Sequence, residues 1–250
     1  MTDLEAVERR ISRRSYLQKP LEPFTSGALL TLVGEYNQRA GLCIELVREG
    51  ADAFKGFRRS YGMFSDVTSY FAMAGKRTDL CLHEKAGYWG EKLVLEATKL
   101  GLGTCWVGGT FDRKACSCRL LPDEELVCVI VVGHVPPGRG AKEKFIYRMA
   151  HRSAKPVEAL YDTDGQAPPD WFLAGMRAVQ RAPSALNRQP VEFLWREGAV
   201  TASVPNYASM QAVDLGIAKL HFEIGAGGGS WKPGSGGAYL RGEEAGPDAL

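Results

Sequence analysis

The stretch Ala182-Pro-Ser-Ala-Leu-Asn-Arg-Gln-Pro190 (APSALNRQP) decides how this chain is read. Its two prolines, Pro183 and Pro190, fix φ and remove backbone donors, so the segment is stiff. Ser184, Asn187 and Gln189 then present donors and acceptors from a nearly rigid turn. Such a turn can satisfy the polar edge of a planar heterocycle or its sugar chain. Taken alone, it reads better as a helix-to-strand connection with Asn and Ser as turn formers. The flanks fit that placement, with a helix expected over Trp171–Arg181 and a strand over Val191–Trp195.

Working outward, Gln211–Ile224 reads as a strongly apolar helix, and the tail from Gly225 to Gly237 is glycine-dense and expected to be irregular. Residues 242–250 are expected to fray. Upstream, Leu4, Val7 and Ile11 predict a short amphipathic helix ending near Ser12–Arg14, and residues 26–39 predict a second. LCIELV (42–47) and SYFAMA (69–74) read as strands. Tyr88, Trp89, Leu93, Val94, Ala97 and Leu100 recur at three- and four-residue steps, which makes a helix stopped by Gly101. LVCVIVV (126–132) is the β-branched run of a strand buried on both faces. Pro136–Gly140 and Asp162–Pro169 are the two linker candidates.

Composition excludes several classes. Hydrophobic residues make up 45% and charged residues 24% of the 250 positions, which is ordinary for a chain that buries a core. A net charge of +2 gives no footprint for nucleic acid or a membrane surface. No stretch has the ~18 uninterrupted apolar residues of a membrane helix, and MTDLEAVERRISRRS lacks the apolar centre of a signal peptide. A cytoplasmic location is the expectation. The six cysteines, Cys43, Cys81, Cys105, Cys116, Cys118 and Cys128, have no framework spacing and read as reduced thiols. One residue between Cys116 and Cys118 is not the usual zinc spacing, so no metal site is expected.

Two further segments carry chemistry. Arg13-Arg14-Ser15 places two planar guanidinium forks and a hydroxyl at a helix exit, a donor set that suits a phosphate dianion. Gly101-Leu-Gly-Thr-Cys-Trp-Val-Gly-Gly109 removes side chains at Gly108 and Gly109, where a flat ring system could press on backbone, and Trp106 is large enough to cover one of its faces. Each alone is a weak signal.

Together, RRS (13–15), GLGTCWVGG (101–109) and APSALNRQP (182–190) resemble the hallmarks of the nitroreductase-like FMN-dependent flavoproteins over roughly residues 5 to 230. The segment GYWGEKLVLEATKLGLGTCW (87–106) is similar to that family's central helix and its exit. In dimeric members the loop precedes the central helix; here that place holds GEYNQRAGLCIELV (34–47), and the loop follows the linker. The order resembles the branch with two tandem halves, a fused pseudo-dimer. The expected fold class is therefore α+β, a nitroreductase-like FMN-binding fold of two related halves, 1–160 and a shorter 161–250. The halves share an outline of helix, short strand and long apolar helix ending in glycines, at 26–109 and 170–229.

Carried over by the resemblance, Arg13, Arg14 and Ser15 would grip the FMN phosphate and ribityl chain. Ser184, Asn187 and Gln189 would approach the flavin, with Pro183 setting the loop. Trp106, Gly108 and Gly109 would lie along the isoalloxazine, and Arg152 and Lys155 would supply a basic group. Where the family usually has Arg or Lys two places after the serine, this chain has Leu17, with Lys19 nearby. The implied activity is ping-pong hydride transfer from NAD(P)H through FMN to a nitroaromatic, quinone or similar small acceptor. It needs no catalytic acid or base, and no Ser-His-Asp or Cys-His set is present to supply one. A monomer with one FMN per chain is expected. The alternative is a non-catalytic flavin-binding or sensor protein. A dehydrogenase of the G-x-G-x-x-G type is disfavoured, because no such motif follows a strand and opens a helix.

Overall fold

A computed structural model of the chain describes residues 1–55, 63–140, 143, 144, 148, 154–242 and 250. Among these, five α-helices alternate with short strands: α1 (Asp3–Arg9), α2 (Pro23–Ala40), α3 (Leu82–Lys99), α4 (Asp170–Gln180) and α5 (Gln211–Ala226). The expected first helix is shorter than its apolar spacing predicts, and it ends before Ile11, which is 41% exposed. From Ser12 onward the backbone pairs with other segments instead. The other helices start and stop within a few residues of the pattern. Gly41 and Gly227 close α2 and α5 in the left-handed conformation, at φ 66° and 87°.

The chain divides into two compact units. One comprises Arg9–Leu82 and Leu93–His151; the other comprises Met1–Glu8, His83–Lys92 and Arg152–Leu250. The first contains a four-stranded antiparallel sheet of β1 (Glu45–Val47), β2 (Ser69–Lys76), β3 (Gly103–Val107) and β4 (Glu124–Gly133), in the order β1-β2-β4-β3. β4 is internal and its residues Val127–Val132 are at most 3% exposed, which is why its sequence is one unbroken apolar run. Antiparallel pairing on both sides shows that such a run needs burial, not a parallel sheet. Phe54, Phe64, Tyr70 and Phe111 pack with Val129 and Val131 in the core of this unit.

The second unit carries β5 (Tyr161–Asp162), β6 (Glu192–Arg196), β7 (Ala199–Ser203), β8 (Ser230–Trp231) and β9 (Gly237–Leu240) in the order β5-β6-β7-β9-β8. The β6–β7 hairpin turns on Glu197 and Gly198, both at positive φ (49° and 83°), the requirement of a two-residue turn matched to strand twist. The glycine-dense tail is irregular at 227–229 and 232–236, as expected, but Ser230–Trp231 form β8 and Gly237 opens β9. Its core is aromatic, with Trp171, Phe172, Phe193, Phe222, Trp231 and Tyr239 in mutual ring contact at 5.1–6.4 Å. Trp231 is fully buried and donates to the Lys219 carbonyl. That burial holds β8 against β9 between the irregular glycine turns. Of the segment 242–250 expected to fray, residues 243–249 lie outside the described residues, while Leu250 is buried and its amide donates to the Trp231 carbonyl at 3.1 Å, so the chain end is not frayed.

The two sheets share one connectivity. The order α2-β1-β2-α3-β3-β4 builds β1-β2-β4-β3, and α4-β6-β7-α5-β8-β9 builds β6-β7-β9-β8, with β5 added outside β6. All three pairings in each set are antiparallel. Among the described residues, no helix is long and apolar enough to cross a membrane.

Candidate functional site

In the unit built on residues 9–82 and 93–151, two of the three motifs lie side by side. Ser12 bridges Thr104, and the Arg13 amide donates to the Thr104 carbonyl at 2.8 Å, so the Arg-Arg-Ser segment runs along the start of β3. Gly103 makes this approach possible, since a Cβ there would stand 3.0 Å from Arg13 Cγ and would collide with Val135. Further along, Ser65 donates its amide to the Arg14 carbonyl and accepts from the Tyr16 amide. The chain is thereby held extended on both sides of Ser15.

The two arginines have different fates. Arg13 is 6% exposed; its Nε bonds to Glu143 Oε1 at 3.2 Å, and its Nη2 to the Pro136 and Gly138 carbonyls at 3.1 and 2.6 Å. Glu143 Oε1 also accepts from the Arg14 amide at 2.6 Å. Arg14's guanidinium lies over the Phe64 ring at 5.4 Å, and among the described residues neither it nor the Ser15 hydroxyl is taken by a protein partner. Arg13 is a buried strut, and Arg14 with Ser15 is an uncommitted cation and hydroxyl beside a sheet edge. Lys19 does not supply the charge missing at Leu17, because its ammonium pairs with Glu22. Glu143 carried no signal in the sequence; only tertiary contact singles it out.

At the far end of β3, Trp106 is half-buried. The Gly108 carbonyl accepts from Arg113 at 3.4 Å. A Cβ on Gly109 would meet nothing within 4 Å, so packing against protein does not explain this glycine. Open space over bare backbone is what a flat ring would need.

The loop 182–190 and Lys155 belong to the other unit, where they are tied to each other. The Gln189 carboxamide is buried, accepts from the Lys155 amide at 2.7 Å, and donates to the Gln180 carbonyl at 3.2 Å. Lys155 Nζ donates to the Gln189 carbonyl at 2.9 Å, and Ser184 Oγ accepts from the Gln189 amide at 2.9 Å. These polar atoms therefore build the loop. Leu186, Asn187 and Gln189 all sit at positive φ (53°, 50° and 46°), a conformation Asn tolerates and Leu resists. Leu186 is 61% exposed at the tip. Strain held in place by side-chain bonds, presenting an apolar group to solvent, is characteristic of functional loops. Arg152 lies outside the described residues.

Beneath the loop is a small pocket of about 10 Å³ lined by Val179, Pro183, Ser184, Gln189, Val191 and Asp214. Asp214, unremarked within an apolar helix, is 5% exposed; Oδ1 accepts from the Ala185 amide at 3.0 Å, while Oδ2 has no hydrogen-bond partner. Burial pushes its carboxyl up to about 7, against the opposing Ala185 hydrogen bond. The folded value lies above the unfolded one, so its stabilising contribution is complete below about pH 4 and is lost as pH rises to about 7. The swing is about 4 kcal/mol at most. Asp214→Asn keeps an acceptor for Ala185 and cannot ionise. Urea midpoints measured from pH 4 to 8 are expected to favour the variant at pH 8 and to converge with wild type at pH 4. Parallel profiles would show that Asp214 stays ionised.

Residues 3–226 match the family model described as "Putative TM nitroreductase". The chain belongs to this nitroreductase family. A "putative nitroreductase" from Thermotoga maritima has the same fold, at 23% identity and a TM-score of 0.65, covering 96% of this chain and 93% of its own. A nitroreductase family protein from Clostridium difficile aligns over 61% of this chain and 94% of its own, at 18% identity and TM-score 0.42. A nitroreductase with bound FMN from Bacteroides fragilis aligns over 55% and 90%, at 15% identity and TM-score 0.42. Likeness at that level carries no argument about this nitroreductase family member. Comparison with curated proteins gave no match.

Proposed function

We propose that this nitroreductase family member is an FMN-dependent oxidoreductase that takes hydride from NAD(P)H and delivers it to a small acceptor such as a nitroaromatic or a quinone. The observation that carries the reading is Arg14 and Ser15, a cation and a hydroxyl with no side-chain hydrogen bond or ion pair among the described residues, held extended along β3. That donor set fits a phosphate. Arg13 keeps the segment in place through Glu143, and the bare backbone at Gly109 leaves room for a planar ring near Trp106. FMN, when bound, supplies the hydride chemistry; the chain's residues bind and orient it. In the loop 182–190, Ser184, Gln189 and Lys155 spend their polar atoms on the loop's own shape. Shared sheet connectivity supports the fusion of two related halves.

The test is the flavin itself. Protein purified without added cofactor is expected to be yellow and to release FMN, not FAD, on denaturation, at one per chain. Arg14→Ala is expected to weaken FMN binding about 10- to 100-fold, the loss of one charge-assisted bond of about 1.5–3 kcal/mol. An FMN dissociation constant unchanged in Arg14→Ala moves the phosphate elsewhere. A chain that takes up no flavin on reconstitution overturns the reading.

A further inference from the structure

We propose that Cys116 and Cys118 form a dithiol that exchanges with low-molecular-weight disulfides, because their sulfurs lie 3.4 Å apart beside the Tyr70 hydroxyl at the wall of an open pocket. The site stands apart from the proposed flavin chemistry and does not depend on it. Both cysteines are partly exposed, and the pocket, about 540 Å³, is also lined by Arg77, Arg113, Leu120 and Glu125. Among the described residues, no group of three possible ligands is placed to hold a metal ion, so the pair has no further coordinating partner.

Polarity is set by Tyr70. Its hydroxyl oxygen accepts from the Ser117 amide at 3.1 Å, which directs its hydrogen at Cys116 Sγ, also 3.1 Å away. Cys116 thus receives hydrogen bonds that favour the thiolate. Its bond with Cys118, and then that with Tyr70, hold it down to about 6, against burial and the nearby Glu45 carboxylate. The same bond, with burial and Glu45, pushes Cys118 up and keeps it protonated while Cys116 is a free thiolate. Arg113 is anchored on the Leu126 and Val127 carbonyls, and Arg77 faces Glu125 at 3.8 Å, so one glutamate offsets part of the positive charge at the pocket. Three other cysteines of this unit contrast with the pair. Burial and Glu124 push Cys43 up to about 11, burial raises Cys105, and Cys128 is fully buried.

In the exchange, Cys116 sulfur attacks one sulfur of the incoming disulfide. A new S–S bond forms as the old one breaks, and the departing thiolate takes a proton from solvent. Capping Cys116 removes the thiolate that kept Cys118 protonated. Cys118 then gives its proton to solvent and attacks Cys116 sulfur, closing the 3.4 Å gap to the ~2.05 Å of a bond and expelling the second thiolate, which is protonated in turn. The chain's dithiol is oxidised by two electrons, and the incoming disulfide is reduced to two thiols.

The test uses the full, reduced chain and oxidised glutathione, followed by alkylation and tryptic mapping. The peptide Ala115–Arg119 of the wild type is expected to be lighter by two hydrogens and unalkylated, while Cys43, Cys105 and Cys128 remain alkylatable. Cys118→Ser should accumulate glutathione on Cys116, whereas Cys116→Ser should leave Cys118 unmodified. Before oxidation, Cys116 should alkylate at pH 7 roughly a hundredfold faster than Cys43, given thiols near about 6 and about 11 and the lower nucleophilicity of the more acidic one. A wild-type peptide that alkylates at both cysteines after treatment overturns the proposal without reference to any variant. Equal adduct formation on Cys116 and Cys118 in the single variants overturns the assigned order of attack.

Discussion

Lys219→Met is expected to lower the unfolding free energy by about 3–5 kcal/mol, the cost of leaving a buried charge without its partner. Lys219 and Glu84 are both fully buried. The ammonium donates to Glu84 Oε1 at 2.5 Å, to the Lys232 carbonyl at 2.9 Å and to the Gly234 carbonyl at 3.0 Å, which uses its three donors. Glu84 Oε2 accepts from the Tyr207 hydroxyl and the Gly234 amide, each at 2.6 Å. The cluster ties α3, α5 and the turn before β9 together. Removing the ammonium leaves a carboxylate with two donors and no counter-charge, out of water. Unfolding in urea would show a large fall in midpoint with little change in slope. Pairing Lys219→Met with Glu84→Gln should recover part of the loss, because the second change removes the stranded charge. A Lys219→Met protein within about 0.5 kcal/mol of wild type would mean that water reaches the pair.

Gly216→Leu is expected to be at least as damaging, for a steric reason. A Cβ on Gly216 would fall inside contact distance of the Glu84 carbonyl oxygen and 2.7 Å from the Tyr88 amide nitrogen. Gly87 answers it from α3, where a Cβ would run into the Val213 carbonyl. These are backbone walls, which cannot rotate away as a side-chain tip can. The helices must separate, and the aromatic core and the Lys219–Glu84 pair would loosen with them. A loss of about 3 kcal/mol or more is expected, and even Gly216→Ala should destabilise although alanine favours helix by about 1 kcal/mol. Gly34 in α2 is the internal control. Its Cβ would meet nothing within 4 Å, so Gly34→Ala should gain about 0.5–1 kcal/mol. Thermal unfolding of the pair separates packing from propensity. Should both alanine variants gain stability, the close crossing would be refuted.

What the sequence by itself determined is the part governed by local periodicity and local chain stiffness. The spacing from Tyr88 to Leu100 specified α3, the run LVCVIVV specified a buried strand, and the prolines of 182–190 specified a stiff loop between helix and strand. The three motifs also pointed to the family. Tertiary structure alone decided the rest. Trp231, one residue inside a glycine tail, anchors a short strand there because a large ring gains more from burial than the flanking glycines lose in entropy. The arginines of RRS are equivalent as sequence, yet Glu143, 130 residues away from Arg13, buries one and leaves the other uncommitted. Gln189 reads in the sequence as a ligand contact, and the fold bonds its carboxamide to Lys155 and Gln180. A polar side chain's role depends on which partners desolvate it, and partners distant in the chain are invisible to periodicity. Asp214, Lys219 and the Cys116–Cys118 pair owe their chemistry to the same cause.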